Sequence, residues 1–348
     1  MTVLFVTNHV PPDRRGAFAA LHRQVPIELA LFGGRSQHAT GSVEDPGVPH
    51  RHVAQREVFG LAASGGYHAV VCGTAGRVAL PASFAGARRS KTPFVLWSAL
   101  WAQPRSPAHA AGALLLRRIY AEADAVVAYG SHVAAHARRR GARRVHVAPQ
   151  AVDQEFWSQP APAPPPHTTT TFLFVGRPAP GKGVDELLEA WRASGLPSQA
   201  AELVLVGVAP QLEPEDAAEA HPPADPQAIR NFYAAADVLV VASVPTATFR
   251  EPWGLVVNEA MHQGLPIIAT DAVGAAAGGL VRHERNGIVV PARDTSALAA
   301  AMRRLHEEPA LRRRMGVQGR RDVAAFSFDA WADGMSAALR SHRSWRMT

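Results

Sequence analysis

Thr171-Phe-Leu-Phe-Val-Gly-Arg-Pro-Ala-Pro-Gly-Lys-Gly-Val184 starts as a short β-branched and aromatic run, crosses three glycines and two prolines, and ends where a helical pattern begins. A run of this kind, bounded by turn residues, reads as a strand buried on both faces. The same signal recurs downstream at 203–206, 238–241, 266–269 and 288–290, with helical patterns near 183–194, 226–235, 255–263, 294–306 and 309–325. Upstream it recurs at 3–7, 68–72, 94–97, 125–128 and 145–147, with helical patterns near 17–31, 76–88, 108–123 and 131–140. Buried strands joined by helices imply parallel sheets covered on both faces, and right-handed crossovers make each half doubly wound. The expected class is therefore α/β, with two doubly wound Rossmann-like domains facing across a cleft.

Pro160-Ala-Pro-Ala-Pro-Pro-Pro166 separates the halves, because so many prolines suit neither helix nor central strand. The expected organisation is a first domain over 1–156, a linker over 157–169 and a second domain over 170–327. A final segment, 328–348, carries a helical stretch near 328–342 expected to pack back on the first domain. A length of 348 residues fits two domains, and 47% apolar residues suffice for ordinary cores.

No run of 18 apolar residues occurs, so no membrane span is expected. The N-terminus enters a strand directly, without the basic region and cleavage site of a signal peptide. Cys72 is the only cysteine, which excludes an intramolecular disulfide. A cytoplasmic location is expected, with peripheral contact at the inner membrane face left open.

The net charge of +7 is uneven: residues 1–152 carry +11 and residues 153–348 carry −4. Nucleic acid, a phosphorylated substrate, an anionic membrane face or a merely solvated surface each fits a basic first half. Of 36 basic residues only Lys91 and Lys182 are lysines. In a chain that uses arginine elsewhere, an ammonium at Lys182 stands out.

The glycines of the 176–183 loop let backbone approach a ligand closely, and the helix after it points free N–H groups and its positive dipole end at the loop. Arg177 and Lys182 add two cations beside Gly176, so the loop suits a diphosphate. It is not a P-loop, since the spacing fails G-x-x-x-x-G-K-[ST]. The plain alternative is an ordinary strand–helix turn with exposed basic residues.

Arg250-Glu-Pro-Trp-Gly-Leu-Val-Val-Asn-Glu259 carries two glutamates eight residues apart. Trp253, Gly254 and Leu255 are read as opening a helix, which places Glu259 inside it and Glu251 in the loop before it. Amides at 253–255 can then donate to a ligand oxygen, Glu259 can accept from two neighbouring hydroxyls of a ribose, and Glu251 can meet a sugar. A capping carboxylate plus a solvated helical glutamate is the bland alternative.

In order along the chain, these motifs resemble bacterial family-4 retaining glycosyltransferases of GT-B architecture. The resemblance rests on Val175-Gly-Arg177 with Lys182-Gly183, Tyr233-Ala-Ala-Ala-Asp-Val238, Arg250-Glu-Pro-Trp-Gly-Leu255 through Glu259-Ala-Met261, Gly264-Leu-Pro-Ile-Ile-Ala269 and Asn286-Gly-Ile-Val-Val-Pro291. Val147-Ala-Pro-Gln-Ala-Val-Asp153 resembles the segment closing the first domain. The likeness is strong over 125–330 and weak over 1–124.

The resemblance implies that Arg177 and Lys182 hold the donor diphosphate, Glu259 the ribose, and Glu251 with the 253–255 amides the donor sugar. Gly16 would lie in the loop facing the phosphates, where the family usually has paired glycines and this chain has Ala17. The histidine common after the fourth strand of the first domain is replaced by Leu96-Trp-Ser-Ala99. The stretch 208–225 shows no clear strand, so the loop that recognises the base is altered.

The expected activity is hexosyl transfer with retention, from a nucleotide diphosphate sugar to a hydroxyl acceptor. That acceptor can be a small molecule, a glycan or a lipid-linked compound; no nucleic acid is expected. Preorganised cations and N–H dipoles stabilise charge on the leaving diphosphate, which itself takes the acceptor proton on the same face. No Asp-x-Asp occurs, so neither a metal nor another cofactor is expected beyond the nucleotide sugar as co-substrate. A nucleotide-sugar epimerase and a non-catalytic nucleotide-sugar-binding protein are the alternatives. His9, Trp97 and Ser98 are acceptor-side candidates, with core packing the alternative for Trp97 and Trp101; Ser131 is read as a helix N-cap.

Overall fold

The structure, a computed structural model, describes residues 2–33, 45–161, 169–209 and 218–341. It divides into two units, the first running to Asp153 and rejoined from Phe326, the second Gln154–Ala325.

The first unit is built on seven parallel strands: β1 (Val3–Thr7), β2 (Ile27–Leu31), β3 (His50–His52), β4 (Ala69–Gly73), β5 (Phe94–Ser98), β6 (Ala125–Ala128) and β7 (Val145–Val147). Their order is β3-β2-β1-β4-β5-β6-β7, so the winding reverses between β1 and β4. Helices α1 (Arg15–Gln24), α2 (Val58–Ala63), α3 (Ala79–Ser90), α4 (Pro107–Glu122) and α5 (Ser131–Arg139) lie between strands. The two-residue period of β1 sends Val3 and Phe5 to one face, with Phe18 and Leu21 of α1, and Leu4 and Val6 to the other, with Phe84 of α3 and Tyr120 of α4.

The stretch 17–31, expected to be one helix, is two elements. Pro26 lacks an N–H and clashes with a preceding turn, so α1 stops before it and Ile27–Leu31 pairs with β1 as β2. A five-residue apolar run does not by itself distinguish helix from strand. Neither α2 nor β3 was expected: the first is six residues long, and the second is an exposed His-Arg-His edge without apolar signal. Ser131 is not the N-cap of α5; Gly130 is, and no side chain caps that end.

The second unit has six parallel strands: β8 (Thr170–Val175), β9 (Ala201–Val206), β10 (Ala218–His221), β11 (Val238–Val241), β12 (Ile267–Thr270) and β13 (Gly287–Val290), in the order β10-β9-β8-β11-β12-β13. Helices α6 (Gln154–Ser158), α7 (Val184–Ser194), α8 (Pro226–Ala235), α9 (Val256–His262), α10 (Gly274–Ala277), α11 (Thr295–Glu307) and α12 (Pro309–Val323) complete it. Phe172, Leu203, Val240 and Ile268 pack with Leu187 and Trp191 of α7 and Met302 and Leu305 of α11 into one core.

Two readings change here. Residues 157–158, expected to begin the linker, close α6, where Trp157 is buried and packs edge-on against Tyr233. Residues 162–168 of that linker lie outside the described residues. A strand, β10, occupies part of the stretch read as having none; its sequence Ala-Glu-Ala-His is too polar to signal burial. Residues 210–217 of the same stretch are outside the description.

The chain ends its described part with α13 (Phe328–Arg340), which belongs to the first unit. Ser327 caps it by accepting from the Ala330 amide at 3.0 Å. Trp331, Met335 and Leu339 sit in the same core as Phe18 and Leu21. Among the described residues no helix is long and apolar enough to cross a membrane.

Candidate functional site

In the second unit the winding reverses between β8 and β11, and the loops leaving their carboxyl ends diverge there. Such a switch point leaves a crevice that ligands use in open α/β sheets. The loop after β8 holds Gly176, Arg177 and Lys182; the loop after β11 leads to Glu251.

Backbone contacts tie these loops together. The Val244 amide donates to the Gly181 carbonyl at 2.9 Å. Gly183 caps α7 in the left-handed region, φ 72°, and a Cβ there would lie 1.9 Å from the Ala242 carbonyl oxygen. Only glycine meets both demands. No side chain caps that end of α7, although Asp185 and Glu186 in its first turn already complement the dipole.

The structure brings Lys182 and Glu251 into contact: Nζ donates to Oε2 at 2.6 Å. Glu251 is 7% exposed, and the Lys182 side chain 23%. The pairing of a cation from one loop with a carboxylate from the other was not foreseen, because 69 residues separate them. Arg177 is exposed.

Glu251 leads into Pro252-Trp-Gly254, a turn fixed on both sides. Trp253 is buried and donates from Nε1 to Asn258 Oδ1 at 2.8 Å. Its carbonyl accepts from the Ala275 amide at 2.8 Å, and a Cβ on Gly274 would lie 2.0 Å from the Pro252 oxygen. Gly254 takes φ 88°, and Leu255 is the residue before α9. Helix α9 thus begins at Val256, and Trp253 and Gly254, read in the sequence as opening it, form the turn before it.

Glu259 stands on α9, and its Oε2 accepts from the Tyr233 hydroxyl at 2.7 Å. Tyr233 is fully buried; burial first, and the Glu259 carboxylate second, push its phenol well above the ordinary tyrosine range. It therefore stays protonated and holds one carboxylate oxygen of Glu259 in place. Sequence reasoning quoted Tyr233 in a motif but gave it no role; a lone tyrosine before Ala-Ala-Ala-Asp carries no signal of which carboxylate it meets.

In the first unit, His9 follows β1, half-buried; burial lowers its pKa and Asp13 partly offsets that. Gly16 is the second residue of α1, and a Cβ there would lie 2.3 Å from the Phe328 ring, so packing against α13 already requires glycine. Trp97 packs among Phe5, Phe18, Tyr129 and Trp331. Ser98 is fully buried and bonded to the Tyr120 hydroxyl at 2.6 Å, so it has no surface to offer an acceptor.

A glycine loop, a helix start and a cation–carboxylate pair thus meet at the switch point of a doubly wound parallel-sheet domain. Residues 169–308, within the second unit, match the family described as Glycosyl transferases group 1. The D-inositol 3-phosphate glycosyltransferase of Streptomyces avermitilis is 34% identical over 135 residues, 37% of this chain and 27% of the relative. The protein of that name from Xylanimonas cellulosilytica is 30% identical over 220 residues, 55% of this chain and 50% of the relative. The chain thus spans half or less of the length of these relatives.

Among solved structures, Anabaena HepE in complex with UDP superposes with a TM-score of 0.76 at 18% identity, covering 98% of this chain and 100% of that one. Sucrose-phosphate synthase from Thermosynechococcus elongatus gives 0.72 at 20% identity, covering 98% of each. At such identities the shared property is the fold, and that fold is GT-B: two Rossmann-like parallel-sheet domains.

Proposed function

We propose that this chain is a retaining glycosyltransferase that moves a sugar from a nucleoside diphosphate to a hydroxyl acceptor without a metal ion. The observation that carries the reading is the Lys182–Glu251 pair at the reversal of winding, 2.6 Å long and largely out of water. A partly buried ammonium held at a helix start is placed to meet a diphosphate, and a carboxylate beside it is placed to meet a sugar hydroxyl.

In this reading Lys182, with Arg177 closing from the exposed side, takes up charge that develops on the leaving diphosphate. Lysine supplies a compact point charge and arginine a planar fork. Glu259, steadied by Tyr233, accepts from the two ribose hydroxyls. Glu251 accepts from the donor sugar and holds Lys182 in place. The leaving phosphate oxygen takes the acceptor proton on the face where the new bond forms, which preserves the anomeric configuration. The reading of metal independence rests on the lack of Asp-x-Asp in the sequence. Gly16 and His9 remain proposed donor- and acceptor-side positions of the first unit; a small molecule, a glycan and a lipid-linked compound all remain within the acceptor class.

The names of the relatives make D-inositol 3-phosphate one acceptor to try, and a further solved complex of Anabaena HepE, with UDP-glucose, makes that the first donor to try. The test is to supply UDP-glucose with a panel of phosphorylated and neutral hydroxyl acceptors and read the product anomer by NMR. An α-linked product supports the reading. A β-linked product, or donor epimerised without transfer, overturns it.

A further inference from the structure

Among the described side chains of α4, the buried ones lie in its last turn. Ile119 and Tyr120 are buried, whereas Leu114 is 80% exposed and Leu115 43%. Ala110 and Ala111, one turn earlier, are exposed as well. Residues 110 and 114, and 111 and 115, are neighbours along a helix face, so these side chains form one unpartnered apolar stripe. Residues 107–116 contain no Asp, Glu, Lys or Arg. An ordinary solvated helix face is polar.

The stripe ends in exposed Arg117 and Arg118, and the surroundings carry one sign of charge. Residues 58–152 hold twelve lysines and arginines against two acids, Glu122 and Asp124. Helices α2, α3, α4 and α5 all pack on the same face of the first sheet, so this charge is spread over one side of the unit. Arg88 reaches Glu122 at 3.6 Å, and Arg118 reaches it at 2.8 Å, which partly neutralises that one acid.

We propose that α4 docks on an anionic lipid surface. Leu114 and Leu115 enter the boundary between headgroups and acyl chains, while Arg117, Arg118 and the arginines of α3 and α5 meet lipid phosphates. The two observations select this occupant jointly. A second copy of the chain would bring the same positive face and be repelled. A nucleic acid would satisfy the charge but leave the leucines in water. A lipid surface satisfies both, with apolar area and cations acting together. The proposal stands on the first unit alone, so its failure would leave the donor chemistry of the second untouched.

The test uses the full chain without substrates, sedimented with vesicles of phosphatidylcholine or of equal parts phosphatidylcholine and phosphatidylglycerol. The expected result is binding to the mixed vesicles only, weakened by salt. Leu114→Gln with Leu115→Gln should cut it by roughly tenfold or more, as should Arg117→Gln with Arg118→Gln. Both variants should keep the wild-type circular dichroism and turnover of a soluble donor. No sedimentation with the mixed vesicles overturns the proposal. So does undiminished binding by the leucine variant, which would leave only a charged surface, or a self-association by light scattering that the leucine variant abolishes.

Discussion

Lys182 Nζ lies 2.6 Å from Glu251 Oε2, joining the loop after β8 to the loop after β11 where the strand order of the second sheet reverses. Each partner limits what the other can do. Without Glu251 the ammonium is left partly buried and unpaired, and without Lys182 a carboxylate 7% exposed has lost its cation. Removing one partner of such a pair costs more than removing both.

A double-mutant cycle on this pair is therefore expected to be non-additive. Glu251→Ala and Lys182→Ala should each lower stability by about 1–3 kcal/mol, with the double variant no worse than the poorer single one. Denaturant titration of the four proteins measures it, and strictly additive losses would show that the two side chains do not act together. In turnover, Lys182→Ala and Arg177→Ala are each expected to lose about 10²–10³-fold with the fold intact.

Tyr233→Phe removes one hydrogen bond and keeps the buried ring. Glu259 then loses the donor that holds its Oε2, and affinity for a bare nucleoside diphosphate should fall by about 5- to 10-fold, the worth of roughly 1 kcal/mol. Glu259→Ala should weaken the same ligand further, whereas Glu251→Ala should harm sugar transfer more than binding of the bare nucleotide. Equal nucleotide affinity in wild type and Tyr233→Phe, by calorimetry, would remove Tyr233 from the site.

Activity is expected to persist in excess chelator. A diphosphate that relies on Lys182 and Arg177 needs no divalent bridge. Turnover assayed after dialysis against chelator, then with magnesium or manganese restored, decides the point; loss followed by recovery would mean that a metal carries the diphosphate.

Stability should fall with acid. His136 and His262 are both buried, and burial, reinforced by Arg140 and Arg139 for His136 and by Arg320 for His262, lowers each pKa to about 4. The unfolded side chain titrates near 6.5, so between these values the unfolded chain binds more protons. The contribution is complete above about pH 6.5 and is lost as pH falls toward 4. Thermal melts from pH 7 to 4.5 should show the decline, and replacing both histidines by glutamine should flatten it.

Five of the six strands of the second sheet were legible because each is a short apolar run, and β8, β9 and β13 are followed at once by glycine or proline. Arg177 and Lys182 entered as candidates from a glycine loop with two cations before a helix, and Glu251 and Glu259 from their eight-residue spacing and the family resemblance. Contacts between distant segments were not. Nothing local to Lys182 names Glu251, and nothing local to Tyr233 names Glu259, since topology brings them together. Elements without periodic signal also escaped, such as β2 hidden in a helical reading before and after Pro26, and polar β10. Ser98 shows the converse error: a polar residue at a strand end read as a ligand contact proved to be a buried partner of Tyr120.

The most direct test of the diphosphate site is calorimetry of uridine, UMP and UDP with the wild-type chain and with Lys182→Ala. The expected result is UDP binding well above UMP and uridine, with the variant losing about 10- to 100-fold for UDP and little for UMP, the range for one charge-assisted hydrogen bond. Equal affinities for UMP and UDP, unchanged by Lys182→Ala, would contradict the assignment of the Lys182 loop to a nucleoside diphosphate.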